Sequence, residues 1–393
     1  MVFSSLRPVS PGERGLRALV LGCGSVGSVL ASHLAGSLPD ATVIVADKRR
    51  EALRRAVELA GLDNLVGLRL DFSDEGALLR AMRDCQLVVD VAPGGLGYKI
   101  LKTAVRAGVD VVDLSYMPED PMALHEEAEG AGITIIPDCG LAPGLSNILV
   151  GRAVSQLDET RAVRIYVGGI PTEPIPPLGY ALTWSAEDLL EEYTRRARVV
   201  IGGRIVDVEP LSGLELVEVP GVGLLEAFYT DGLRTLLHTL RGVGEMWEKT
   251  LRWPGHAQKM RLLKELGLLD EEPVGGVVPR RFLAELLERR LSIRNLPGVR
   301  DVVVLLVEVE GERAGRRSVL TYRLVHRYDE ARGLTAMAKT TAYTASIVAR
   351  LLLEGEIGRK GVVPPELLGM DEAVYRQIIE GLRADGIEVE GAM

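Results

Sequence analysis

Three glycines and one aspartate carry the most specific chemistry in this chain. Gly22, Gly24 and Gly27 stand in "VLGCGSVGSVL", residues 20–30, and Asp47 closes "VIVAD" twenty positions after Gly27. An apolar strand leads into the loop and a helix leads out of it. Gly22 permits the tight turn, Gly24 lets a pyrophosphate approach the backbone, and Gly27 lets helix and strand pack, with Ser25 and Val26 between them. The free amides and dipole of the helix N-terminus favour an anion there. The spacing therefore predicts a bound dinucleotide, although a methyl-transferring enzyme can use a similar loop. Asp47 can accept hydrogen bonds from both hydroxyls of an adenosine ribose and repel a 2′-phosphate, which favours NAD. Lys48, Arg49 and Arg50 follow at once and could grip that phosphate, so NADP stays open. Asp71, ending the third strand, is placed to flank the adenine, and Ala92 and Pro93, after the fourth, stand where the nicotinamide ribose passes.

The reacting groups are harder to read. Ligands on open parallel sheets collect outside the carboxyl ends of the strands, which selects Ser115 and Tyr116 after the fifth strand and Asp138, Cys139 and Asn147 after the sixth. In "FYTDGLRTLLHTL" the spacing predicts a helix with Leu233, Leu236, Leu237 and Leu240 on one face and Asp231, Arg234 and His238 on another, just after Thr230. Arg234 would hold a substrate carboxylate, and His238 or Asp231 would accept an amine proton. A solvated helix face capped by Asp231 fits the same spacing. "TLRWPGHAQKM" places Arg252 and His256 around a Pro-Gly turn, and "GYALTWSAEDL" places Tyr180 and Trp184 before a helix. Both read as pocket walls or as core. The chain has no HExxH, paired CxxC, GxSxG or GKS/GKT motif, so no metal site is assigned and hydride transfer fits best.

These residues need a scaffold, and the strand pattern supplies one. "RALVLG", "TVIVAD", "VGLRLD", "LVVDVAP", "VDVVDLS" and "ITIIPD" alternate with helical segments, and each run is continuously apolar, as in a parallel sheet covered on both faces. The fold class is α/β: a Rossmann dinucleotide-binding domain over residues 1–140, completed by 334–393, plus an α+β substrate-binding and dimerisation domain over 141–333. Within the latter, "DVVVLLVEVEGERAGRRSVLTYRLVHRYD" reads as a hairpin, and "GLTAMAKTTAYTASIVARLLLEG" beyond it reads as a long helix returning to the first domain.

The composition narrows the partners. The chain has 393 residues, 47% of them hydrophobic, enough for a full core, and 46 Lys+Arg against 55 Asp+Glu give a net charge of -9 without a basic stripe. A small-molecule partner is expected, with no nucleic acid and no membrane. The N-terminal segment lacks an export pattern and the three cysteines suit no disulfide framework, so a cytoplasmic protein with reduced thiols is expected.

The stretch "VVDLSYMPEDPMALHEEAEGAGITIIPDCGLAPGLSNILVGRAV" resembles the saccharopine dehydrogenase superfamily, with its Ser-Tyr step and Gly-x-x-Pro-Gly segment. "VGGIPTEPIPPLGYALTWSAEDLLEEYTRRARV", "EAFYTDGLRTLLHT" and "TLRWPGHAQKM" are similar to its narrower lysine 6-dehydrogenase group. Saccharopine-forming relatives typically carry aspartate where this chain has Ala142, which puts saccharopine chemistry in doubt. The resemblance implies NAD-dependent oxidative deamination of the ε-amine of L-lysine to a semialdehyde that cyclises, and a homodimer. It sets the runner-up as a reductase that condenses a semialdehyde with an amino acid. A cofactor-binding protein without turnover is the reading from outside enzymology.

Overall fold

The computed structural model describes residues 15–392. Six short strands, β1 (Arg17–Leu21), β2 (Thr42–Asp47), β3 (Leu65–Arg69), β4 (Leu87–Asp90), β5 (Asp110–Asp113) and β6 (Thr134–Ile136), coincide with the apolar runs of the sequence. Most of their residues are buried, as continuous hydrophobicity demands of strands with helices on both faces. All pair in parallel, and β2 and β4 flank β1. Their carboxyl ends therefore part at β1, leaving a crevice where ligands bind in such sheets.

A second sheet is built from β7 (Glu159–Pro171), β8 (Ala197–Ile201), β9 (Arg204–Val208), β10 (Glu215–Val219), β11 (Gly223–Tyr229), β12 (Glu245–Arg252), β13 (Asp301–Arg313) and β14 (Arg316–Arg327). Its main path runs β10-β11-β12-β7-β13-β14, with β8 and β9 attached through β12, and only the β12–β7 pair is parallel. The β13–β14 hairpin turns at Ala314 and Gly315.

After this sheet the chain returns to the first one. β15 (Gly361–Val362) adds in parallel to β6, making seven strands. The helix Ala336–Leu353, capped by the Thr335 hydroxyl on the Ala338 N–H, lies against β5, β13 and α1 (Ser25–Ser37). Its small residues, Ala338, Ala342, Ala345 and Ala349, let those neighbours approach. One apolar core joins Val20 and Val45 of the first sheet to Val163 and Leu305 of the second through Ala345 and Val348. Apolar contact thus runs from sheet to sheet behind the crevice that separates them at their mouths.

One expected element differs. The helix read from "DGLRTLLHTL" is a single turn, Leu236–Thr239, preceded by a loop. Arg234 holds a left-handed backbone, φ 49°, which no α-helix tolerates. Leu233, Leu236, Leu237 and Leu240 are buried as their spacing suggests. Periodicity thus reported burial here without reporting conformation.

Candidate active site

Between the two sheets lies a cleft of about 640 Å³ that begins at the glycine loop and ends on β12. At its first end Gly22 has φ 109°, and a Cβ there would stand 2.6 Å from the Val91 carbonyl oxygen. A Cβ on Gly27 would run into the Gly22 carbonyl, whereas around Gly24 nothing lies within 4 Å of where a Cβ would be. Two glycines thus permit the turn and the third leaves open room above it. α1 starts at Ser25 with no side-chain cap and no acidic residue in its first turn, so its amides are free to meet an anion. These features fit a dinucleotide pyrophosphate.

The end of the cleft beside Asp47 is more cationic than the sequence suggested. Asp47 receives the Cys23 N–H and Arg49 Nη2 on one carboxylate oxygen, both at 3.0 Å, and the Arg49 N–H and Nε on the other, at 2.8 and 3.1 Å. Burial alone would raise this carboxyl, but those donors hold it below its ordinary value. Its four acceptor positions are therefore filled by the protein itself. Lys48, Arg49 and, from the opposite wall, Arg294 line the same end.

At the far end, β12 presents Glu248, Thr250 and Arg252 to the cleft, as the two-residue period of a strand requires. Arg252 is buried, binds Glu192 at 2.7 Å and lies over the Tyr180 ring, 4.8 Å from its centroid. The Trp184 Nε1–H donates to the Tyr180 hydroxyl at 3.2 Å, and the Thr230 and Thr250 hydroxyls share a 2.9 Å bond. Among the described residues three buried polar atoms on this wall have no partner: Glu248 Oε2, Arg252 Nε and Thr183 Oγ1. Unsatisfied polar atoms are rare in native interiors, and their convergence on a cleft marks a ligand site.

Comparison with known proteins agrees with this layout. Residues 18–136 match the saccharopine dehydrogenase NADP binding domain and residues 140–387 match the saccharopine dehydrogenase C-terminal domain. The chain belongs to the saccharopine dehydrogenase family. It is 23% identical over 438 residues to an alpha-aminoadipic semialdehyde synthase of Arabidopsis thaliana, covering 89% of this chain but 40% of that protein. It is 27% identical over 274 residues to the saccharopine dehydrogenase (NADP(+), L-glutamate-forming) of Saccharomyces cerevisiae, covering 66% of this chain and 59% of that one. The chain thus spans roughly half the length of these relatives. The solved apo histidine-tagged saccharopine dehydrogenase (L-Glu forming) from Saccharomyces cerevisiae shares the fold, with a TM-score of 0.77 at 21% identity over 96% of this chain and 99% of that one.

Within this family fold, the cleft is lined by Gly22, Gly24, Ser25, Val26, Gly27, Asp47, Lys48, Asp71, Ala92, Pro93 and Ser115, and at the far end by Tyr116, Tyr180, Trp184, Thr230 and Arg252. Asp71 accepts the Ser73 N–H and hydroxyl, and Ser115 donates to Asp113 at 2.7 Å. The Tyr116 hydroxyl donates to the Asp231 carbonyl at 3.0 Å, and burial pushes its ionisation up, so this phenol is a poor acid in the structure.

Asp231, Arg234 and His238 do not line the cleft, which corrects the helix-face reading, and His256 does not line it either, which corrects its reading as a pocket wall. Asp231 is buried and receives Arg198 Nε and Nη2, both at 3.1 Å. Arg234 is buried against Asp138. His238 sits at the surface, 3.1 Å from Asp120. His256 donates from Nδ1 to the Leu178 carbonyl and accepts the Tyr193 hydroxyl on Nε2, and burial lowers it to about 3, so it remains neutral. With no helix to align Asp231, Arg234 and His238, each of the three is satisfied by its own partner, and His256, at the start of the helix His256–Glu265, is turned into the core.

The sequence reading missed Glu248, Glu192 and Arg294. A signal for Glu248 and its neighbours exists in "EMWEKTLR", where Glu248, Thr250 and Arg252 recur at every second residue on one face of the strand. Polar residues at that period point to a wet face.

Proposed function

We propose that this chain is a nicotinamide-dinucleotide-dependent oxidoreductase that deaminates the side-chain amine of L-lysine. One observation carries the choice of substrate. At the far end of the cleft, among the described residues, the only lining guanidinium, Arg252, is already held by Glu192, whereas the carboxyl of Glu248 has no cation. Such a wall suits a cationic amino acid better than saccharopine, which carries several carboxylates. Arg252 Nε and the Thr183 hydroxyl remain to hold the substrate's own carboxylate.

When bound, an oxidised nicotinamide would accept the C–H hydrogen with its electron pair, as a hydride, while the amine-bearing carbon becomes an imine. The chain's residues orient the amine, remove its proton and, through Tyr180, Trp184 and Leu182, limit water at the reacting carbon. Water then adds to the C=N bond and ammonia leaves, giving 2-aminoadipate 6-semialdehyde, the group of compounds after which the Arabidopsis relative is named. For the cofactor we favour NADP(H) over NAD(H), because Asp47 is filled by Arg49 and Lys48, Arg49 and Arg294 converge at the adenosine end. The names of the family's NADP binding domain and of the yeast relative lean the same way.

A second reading, reversible oxidation of saccharopine, is supported by the relatives' names and by the shared fold. Purified protein given L-lysine or saccharopine with each oxidised cofactor separates the two. Reduced nicotinamide accompanied by a trapped cyclic imine supports lysine deamination. Reduction with saccharopine alone, yielding glutamate, would replace it.

A further inference from the structure

Three carboxyl groups, Asp138, Glu192 and Glu248, line the inner end of the cleft and a fourth, Asp231, lies behind it, and three of the four have a dedicated arginine: Asp138 with Arg234, Glu192 with Arg252 and Asp231 with Arg198. Glu248 has none among the described residues, although it is only 4% exposed. Its Oε1 receives a long contact from the Thr230 hydroxyl, 3.5 Å, and its Oε2 is buried without a partner. Beneath it Gly232 leaves the carboxyl its space, since a Cβ at that position would overlap the Glu248 carboxylate. A buried carboxyl that lines a cleft, lacks a cation and has room kept for it is arranged for something that arrives from outside.

We propose that Glu248 docks the substrate's amino group and accepts its proton. The assignment rests on the amine-oxidising reading above. One N–H bond of the bound ammonium breaks, its electron pair stays on nitrogen, and an O–H bond forms on Glu248. The free amine left behind has the lone pair that must push toward carbon when the C–H bond is lost. Burial first, then the charges of Glu192 on the helix Ala186–Glu192, of Asp231 after β11 and of Asp138 after β6, raise this carboxyl to about 8, against which the Thr230 hydroxyl works. On its own strand Arg252 faces the same space. Without ligand Glu248 therefore stays neutral at pH 7 and avoids a naked buried charge. An arriving ammonium supplies the missing cation and favours its ionisation. A lysine-type amine titrates near ~10.4 in water and lower when buried, so donor and acceptor are closely matched for transfer.

The test pairs the wild-type enzyme with Glu248→Gln. In kcat/KM for L-lysine, the wild type is expected to rise with pH through about 8, while Glu248→Gln loses at least about tenfold in kcat/KM and its rise moves toward the amine value of ~10.4. Calorimetric titration with n-pentylamine near pH 7, in buffers of different ionisation enthalpy, is expected to show about one proton released by the wild type. The Gln variant should show weaker binding without release. Glu248→Asp keeps a carboxyl with shorter reach and should retain proton release at reduced affinity. Unchanged amine affinity in either variant, or an unmoved pH profile in Glu248→Gln, would overturn the assignment. A wild type silent with L-lysine that still binds pentylamine through Glu248 would sink the lysine reading and leave the docking role standing.

Discussion

Asp138 and Arg234 both hold left-handed backbone, φ 52° and 49°, and meet in a buried ion pair with Arg234 Nε 3.0 and 3.2 Å from the two carboxylate oxygens. Non-glycine residues visit that region at a cost of about 1–2 kcal/mol each. The pair is held because Asp138 ends the turn after β6 and Arg234 ends the loop after β11, so their backbones point two side chains at one another from opposite walls. Tyr116 stacks on the outer side of the guanidinium, 5.4 Å from ring centroid to Arg234 Cζ. The ion pair thereby joins the two sheets beneath the cleft.

Removing one partner should expose that role. Arg234→Ala leaves Asp138 charged and uncompensated in the interior, so a loss of about 3–5 kcal/mol in unfolding free energy is expected from denaturant titration. A loss under about 1 kcal/mol would mean that water or Tyr116 replaces the guanidinium.

Arg49 should decide cofactor choice. With Arg49→Ala, affinity for NADPH, read by fluorescence on binding, is expected to fall about tenfold or more, because the positive charge that balances Asp47 and would meet the 2′-phosphate is lost. Affinity for NADH should hold or improve, because the Asp47 oxygens become free for the ribose hydroxyls. Equal losses for both cofactors would place Arg49 in a structural role only.

Glu248 should leave a mark on stability as well as on catalysis. Its carboxyl ionises near the ordinary 4.5 in the unfolded chain and at about 8 in the fold, so between those values the folded state binds the extra proton. Stability is then fully present below 4.5 and declines as pH rises toward 8. Asp90, raised by burial to about 7, acts with the same sign in both proteins. The difference between Glu248→Gln and wild type isolates Glu248: the variant's unfolding free energy relative to wild type, from denaturant titration, should climb between pH 5 and pH 8 by at most about 1.4 kcal/mol per pH unit. A constant difference would show that Glu248 is already ionised at neutral pH.

His238 should be dispensable. Its side chain is 40% exposed and reaches Asp120 at the surface, away from the cleft. His238→Ala is expected to keep kcat and KM within about twofold at every pH, as exposed pairs contribute little. A lost ionisation in its pH profile would restore it to the reaction.

The scaffold and the glycine loop were legible in the sequence because their determinants are local. β1 to β6 announce themselves as continuous apolar runs, and Gly22, Gly24, Gly27 and Asp47 lie within one strand-helix-strand unit whose geometry admits few alternatives. The resemblance read from "SYMPED" through "GLAPGLSN" pointed to the same family that the comparisons show. The hairpin at Ala314 and the long helix Ala336–Leu353 were equally plain from periods of two and of 3.6 residues.

Which charges face the cleft was decided only by the tertiary structure. Arg234 and Asp138 are 96 residues apart, Arg252 and Glu192 are 60 apart, and Asp231 finds Arg198 across 33. Spacing along one segment placed Asp231, Arg234 and His238 together, but a left-handed residue at Arg234 broke the helix and distant partners claimed the first two charges. In a low-dielectric interior every buried charge must be met, and the partner that meets it is chosen by how the second sheet and its loops pack against the carboxyl ends of the first. Periodicity carries no information about that packing. Glu248 is what remains when the pairing is complete: the alternation in "EMWEKTLR" places it on a face with Thr250 and Arg252, but only the fold shows that no arginine meets it among the described residues.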